Sequence, residues 1–187
     1  MLLYTTMPEY YFGIVILIVI LIIFYDRTDT ITVDGIDYDV SKNFEDKELA
    51  ARRLHDINNF IIEFMRYLKK KYIINDNGDY GRFYTQRLLA HYNPDVLSEN
   101  NPASTVNTSY VQNKGEKISF CLREKKSGQN EFHNLDTMKF VVLHEISHIA
   151  NPTDGHEPDF WAVFAWITRQ AKEAGIYNPI DYAKNPI

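Results

Sequence analysis

The sequence predicts an α+β domain, helices plus a small sheet, behind a single N-terminal transmembrane helix. Three observations predict it. Tyr10 to Tyr25 carries no charge and is apolar almost throughout, the pattern of a membrane span. Short runs rich in Val, Ile, Thr and Tyr flank Asp34-Gly35 and Asn113-Lys114-Gly115-Glu116, which is the pattern of β-hairpins. Apolar residues recur at spacings of three, four and seven over 46–72 and again after Asp136, which is the period of helices packed on a core. A chain of 187 residues suits one domain with an appendage. The division expected is 1–29 as membrane anchor and 30–187 as the folded domain.

As a helix, Tyr10 to Tyr25 spans about 24 Å, slightly short of a hydrocarbon core, and Met7 and Pro8 could extend it. Tyr10, Tyr11 and Tyr25 at its ends fit an interfacial aromatic belt. A cleaved signal peptide needs basic residues before the apolar run and small residues after it. No Lys or Arg precedes this one, and Phe24-Tyr25-Asp26-Arg27 follows. The run is also too long for a buried strand. The expectation is a single-pass membrane protein with the bilayer as partner. Arg27 is the sole basic residue near the span, so orientation stays open.

The folded part opens on Thr30 to Val40, where Asp34-Gly35 suits a type I′ turn between two strands. A helix is expected from Asp46 to Tyr72, with Leu49, Leu54, Ile57, Ile61, Phe64, Met65 and Leu68 on its apolar face. His55 on this helix reads as a packing or surface residue. Asn75 to Asp79 is a loop, since its acids lack the twelve-position calcium pattern. Arg82 to Tyr92 is expected as a second helix and Pro94 to Pro102 as loop. Thr105 to Gln112 and Lys117 to Arg123 read as the strands of a second hairpin. Ile118, Ser119 and Phe120 are the expected substrate-binding residues, on a sheet edge where an extended peptide could pair by backbone hydrogen bonds. Asn107-Thr108-Ser109 fits a glycosylation acceptor.

The chemistry is concentrated in His144-Glu145-Ile146-Ser147-His148. On a helix, positions i and i+4 share a face, so both imidazoles can reach one metal ion. Glu145 stands beside the remaining coordination position, where it could accept a proton from a water that the metal activates. Val141, Val142, Leu143, Ile146 and Ile149 give the segment an apolar side. Asp136 is the expected N-cap, and Asn151-Pro152 ends the helix. Asn151 to Gly155 forms a turn, His156 follows, and Pro158 opens another helix. Its apolar face is Phe160, Val163, Phe164, Ile167 and Ala171. His156 is the favoured third ligand, with Glu157, Asp159 and Asp154 as rivals. Zn²⁺ is the metal that this donor set suits.

The stretch VVLHEISHIANPTDGHEPDFW resembles the active-site signature of the WLM and SprT-like zinc metallopeptidases. His144 and His148 match the first two ligands, Glu145 the general base, His156 the third ligand, and Phe160-Trp161 the aromatic positions. The turn before His156 is slightly longer than is usual in those families. The stretches VNTSYVQNKGEKISFCLRE and NLDTMKFVVLHE also resemble WLM-like proteins encoded by large DNA viruses. The resemblance covers about residues 105 to 182. It implies a zincin-like minimal metallopeptidase domain that cuts protein or peptide substrates.

Composition narrows the alternatives. A hydrophobic content of 45% is ample for a packed core. The single Cys121 excludes an internal disulfide framework and a four-cysteine zinc site, and its apolar setting makes it a buried thiol. A net charge of −5 argues against nucleic acid as a partner, because phosphate binding needs a basic footprint. Lys69-Lys70-Lys71 and Lys125-Lys126 are short runs that read as solvated ends. Tyr177, Tyr182 and His133 are candidates to steady an oxyanion, Tyr177 foremost. The rival reading is a structural membrane-associated protein, such as one of a virion, that retains the zincin fold without turnover.

Overall fold

Asp34 at φ 50° and Gly35 at φ 81° close the first hairpin with both central residues left-handed, as a type I′ turn requires. They join β1 (Thr28–Val33) to β2 (Ile36–Ser41), paired antiparallel from Thr28 opposite Ser41 to Val33 opposite Ile36. The computed structural model describes residues 13–16, 28–100, 109–124 and 131–179. Residues 13–16 are helical. The rest of the apolar 10–25 stretch, Arg27, the Asn107-Thr108 pair, Lys125-Lys126 and Tyr182 lie outside the described residues. Among the described residues no helix is long and apolar enough to cross a membrane.

Helix α1 (Lys47–Leu68) follows, and its last turns continue as a π-helical segment, Lys69–Ile74. The buried stripe is Ala50, Ala51, Leu54, Ile57, Ile61, Phe64 and Leu68. Each large aliphatic or aromatic side chain on it contributes roughly 1.5–3 kcal/mol by leaving water. Leu49, expected on this stripe, is 46% exposed instead. Asn58 takes a buried place the periodicity did not assign to it. Its side chain donates to the Tyr38 hydroxyl at 3.0 Å and accepts from the Tyr92 hydroxyl at 2.6 Å, which satisfies a polar group that water cannot reach. His55 caps this network, with Nδ1 3.3 Å from the Tyr38 hydroxyl, and is structural. The Lys69-Lys70-Lys71 run is partly structural too, because Lys71 Nζ donates to Gln170 at 2.8 Å and to Glu173 at 2.5 Å.

Helix α2 (Asp79–His91) starts three residues earlier than its periodicity suggests. A 3-10 turn, Pro94–Val96, then leads into β3 (Leu97–Glu99). This strand corrects the expectation of a loop over 94–102. It runs parallel to both β2 and β5, and all three of its residues are buried. Strands β4 (Tyr110–Gln112) and β5 (Lys117–Phe120) form the second hairpin. Gly115 sits in its turn at φ 122°, and a Cβ there would lie 2.4 Å from the His91 carbonyl oxygen; only glycine fits.

The sheet order is β1-β2-β3-β5-β4. It corrects the expected edge strand. Ile118, Ser119 and Phe120 lie on β5, which has a neighbour on each side, and are at most 2% exposed. They cannot pair with an incoming peptide. The outer strand on this side is β4. Inserting β3 between the two hairpins is what moved β5 inward. Helices α3 (Leu135–Ala150) and α4 (Pro158–Glu173) complete an α+β architecture. Cys121 is buried just past β5, as expected.

Candidate metal centre

Helix α3 begins at Asn134, whose side chain accepts a hydrogen bond from the Asp136 N–H at 2.8 Å. The cap is therefore Asn134, not Asp136, which lies in the first turn where its charge complements the helix dipole. Met138, Val142, Leu143, Ile146 and Ile149 are buried, and that packing leaves His144 and His148 facing the same way. Their ring centroids are 5.1 Å apart, one turn of the helix.

The helix ends at Asn151, which is extended (ψ 130°) ahead of Pro152. The loop beyond it is held from several sides. Asn151 Nδ2 donates to the Thr153 hydroxyl at 2.9 Å, and that hydroxyl bonds the Asp159 carboxylate. Lys114, reaching over from the β4–β5 turn, pairs with Asp154 at 2.9 Å and donates to the Thr153 carbonyl at 2.5 Å. Arg87 of α2 donates to the Ala150 carbonyl at 2.9 Å. Gly155 at φ 79° reverses the chain, and His156 swings back over α3. Its Nε2 lies 3.0 Å from His144 Nε2, and its ring centroid is 4.8 Å from that of His148.

Phe160, at the start of α4 and fully buried, stacks on His148 at 4.2 Å and meets the rings of His144 and His156 edge-on at 5.0 and 4.7 Å. It fixes the ring planes from beneath. One donor nitrogen from each of His144, His148 and His156 lies within 4.8 Å of the others. Three nitrogens about 2.0–2.1 Å from one zinc ion, at tetrahedral angles, stand roughly 3.3 Å apart; the His144–His156 pair at 3.0 Å is close to that spacing, and the cluster takes such an ion once His148 closes in. Two of the rival carboxylates are engaged elsewhere, Asp154 with Lys114 and Asp159 with Thr153, and the exposed Glu157 at the start of α4 lies outside the donor cluster.

The electrostatics suit the same chemistry. Burial, reinforced by the His156 imidazole, pushes His144 down to about 4. Burial and then the neighbouring imidazoles do the same to His148. Both are neutral at pH 7, with lone pairs available to a metal. Glu145 is 5% exposed, and burial pushes its carboxyl up to about 7, a value suited to exchanging protons at neutral pH.

These shifts predict how the metal-free fold responds to pH. Between about pH 6.5 and 4 an unfolded chain takes up protons that His144 and His148 refuse when folded, so stability falls as pH falls. Glu145 acts oppositely. From about pH 4.5 to 7 the folded state holds a proton that the unfolded chain has released, so stability falls as pH rises. Metal-free Glu145→Gln is therefore expected to show a steeper acid loss of stability between pH 4.5 and 6.5, by about one proton or ~1.4 kcal/mol per pH unit. Chemical denaturation of the chelator-treated pair over that range checks it, and equal slopes would contradict it.

Histidines, Glu145 and strand edge meet at one cleft of about 610 Å³. Val141, His144, Glu145 and His148 form one wall; Ser109, Tyr110 and Val111 at the β4 edge form the other. Tyr177, the foremost oxyanion candidate, is 2% exposed and does not line this cleft, nor does His133, whose backbone N–H donates to the Leu122 carbonyl at 2.9 Å. The tyrosine in the cleft is Tyr110, which the sequence reading passed over. Its signal was its place on the outer strand of the hairpin, legible only once β3 is known to flank β5 on the other side.

The WLM domain family model matches residues 90–182. Over 180 residues the chain is 30% identical to an uncharacterised protein of Acanthamoeba polyphaga mimivirus, a match that takes in 93% of this chain and 88% of that one. This chain belongs to the WLM domain family. An uncharacterised protein of Invertebrate iridescent virus 6 is 33% identical over 70 residues, 37% of this chain and 39% of its own. No solved structure matches. Both of these relatives of this WLM protein are viral proteins, and the region that the family model matches contains all three clustered histidines, Glu145 and Tyr110.

Proposed function

We propose that this chain is a zinc-dependent metallopeptidase with a zincin-like domain, tethered to a membrane through residues 10–25. The observation that carries the reading is the convergence of three imidazole donors with a buried carboxylate beside them, at a cleft bordered by an outer β-strand. His144, His148 and His156 would hold the ion. Zn²⁺ bound there supplies Lewis acidity, acidifying a water and polarising a carbonyl. The rest falls to the protein. An extended substrate pairs with β4 and lies across the cleft. Glu145 accepts the proton of the attacking water and delivers it to the leaving amine, a task for which a carboxyl held near neutrality is matched. Tyr110, on the facing wall, is the side chain available to donate to the developing oxyanion. The acidic balance of the chain supports a protein or peptide substrate over nucleic acid.

The test is zinc content by mass spectrometry together with cleavage of a denatured protein. Wild type is expected to carry one zinc per chain and to lose cleavage on chelation. His156→Ala is expected to fall well below one zinc per chain while remaining folded. Full zinc retention in that variant would remove His156 from the site. Vesicle flotation of the full chain against a form starting at residue 28 tests the tether, and co-flotation of both forms would contradict it.

A further inference from the structure

Beside the cleft lies a second hollow of about 470 Å³, walled by Phe140, Trp161, Phe164 and Ala165, with Arg169 and Lys172 at its rim. Phe140 is common to the walls of both hollows. Two walls of the second hollow also touch the histidines. The Phe164 ring is 5.3 Å from that of His144, and the Trp161 ring is 5.7 Å from that of His156. Trp161 is 51% exposed although Phe160 beside it is fully buried. Exposing a large aromatic ring costs the favourable burial available to it, and a ring left open at the lip of an apolar hollow marks a binding surface.

We infer that this hollow is a specificity subsite for the same polypeptide substrate, taking a large apolar side chain next to the scissile bond and, through Arg169 and Lys172, an acidic residue beyond it. The inference rests on the metallopeptidase reading for the identity of the ligand. Position and chemistry argue for it together. A chain lying along β4 and over the three imidazoles reaches Phe140, and the nearest space for a bulky side chain is on the far side of that ring. The floor is hydrocarbon and aromatic, so it rewards an apolar group at about 25 cal/mol per Å² buried. The rim carries two cations one turn apart on α4, in a chain whose overall charge is −5. The nearest acid along α4, Glu173, forms its ion pair with Lys71 at 2.5 Å and acts on Arg169 only through space. A carboxylate brought in by the substrate meets this local positive charge, and a lysine is repelled by it.

Two readouts test the subsite separately from catalysis. The first is cleavage of a randomised peptide library. Wild type is expected to favour Leu, Met or Phe at one position adjoining the cut, with Asp or Glu over Lys by about tenfold at the next. Ala165→Trp, at an exposed position on the wall and away from the histidines, fills the hollow. It should shift the preference to Ala or Gly while small-residue peptides are still cut. The double variant Arg169→Glu, Lys172→Glu should reverse the charge preference. The second readout is Trp161 fluorescence in the zinc-loaded Glu145→Gln protein, titrated with blocked Ala-Leu-Asp-Ala and Ala-Leu-Lys-Ala peptides. The chain has two tryptophans, and the other, Trp166, is 4% exposed. A change with the Leu-Asp peptide at lower concentration than with the Leu-Lys peptide, abolished in Ala165→Phe, which fills the hollow without adding a third tryptophan, supports the subsite even if no peptide is ever cut; the metallopeptidase reading would then fail alone. A cleavage profile indifferent to Ala165→Trp, or equal response to both peptides, overturns the subsite and leaves the peptidase reading standing.

Discussion

Glu145→Gln is expected to keep a full complement of zinc and to lose peptide cleavage by about 10²–10⁴-fold, the range that a positioned general base contributes. The substitution is nearly isosteric and leaves the three imidazoles untouched. Glu145 is buried, and in the metal-free protein its carboxyl is pushed up to about 7, so before zinc binds a neutral amide replaces a group that near neutral pH is already protonated much of the time. Folding should therefore survive, and near pH 7 it should even gain slightly, because no charge remains to be buried. What the amide cannot do is accept a proton. The decisive measurement is kcat/KM on one peptide for both proteins at equal zinc content. A loss carried by kcat with KM little changed points to the proton-transfer step. Wild type that binds one zinc, cuts nothing, and cannot be told from Glu145→Gln would return the protein to the structural reading, in which the fold is retained without turnover.

The site was more legible in the sequence than the sheet around it, for a physical reason. The donor positions follow from local geometry: four residues along a helix, then a proline-glycine turn too short to let His156 wander. Gly155 at a left-handed φ and Pro158 at the start of α4 are local signals, and they were sufficient. Nothing local reveals β3. Leu97-Ser98-Glu99 is three residues long and two of them are polar, so it has neither the period nor the composition of a strand. It is a strand because β2 and β5 flank it in space, and because its one charge is neutralised by a residue 24 positions away. Missing β3 led to the second error, since without it β5 reads as an edge. Tyr177 failed for a similar reason. A tyrosine after the last helix looks available in sequence, but the chain folds it back into the core. The hollow has no local signature either, because only the packing of α3 against α4 leaves a space between Phe140 and Trp161.

That distant neutralising residue is Arg123, and Arg123→Met is expected to destabilise the fold by about 3–5 kcal/mol. The Arg123 side chain is 1% exposed, as is that of Glu99; its Nε donates to the Glu99 carboxylate at 2.7 Å, and Nη1 meets Asp46 at 2.9 Å. The guanidinium lies between two rings, 4.1 Å from the centroid of Phe44 and 4.3 Å from that of Phe132. One side chain thus ties the end of β3 to the start of α1 and to the segment that leads into α3. Removing it leaves the Glu99 carboxylate in a site closed to water, with the Ser41 N–H at 2.9 Å to offset its charge. The cost comes from that stranded charge more than from the lost contact. The double variant Arg123→Met, Glu99→Gln is therefore expected to recover a large part of the loss, because a neutral amide needs no counterion. Urea denaturation of the three proteins, with zinc bound throughout, checks the order wild type, double variant, single variant. If the double variant is no more stable than the single, the Arg123–Glu99 pair is not what holds β3 in place, and the aromatic sandwich around the guanidinium must be carrying that strand instead.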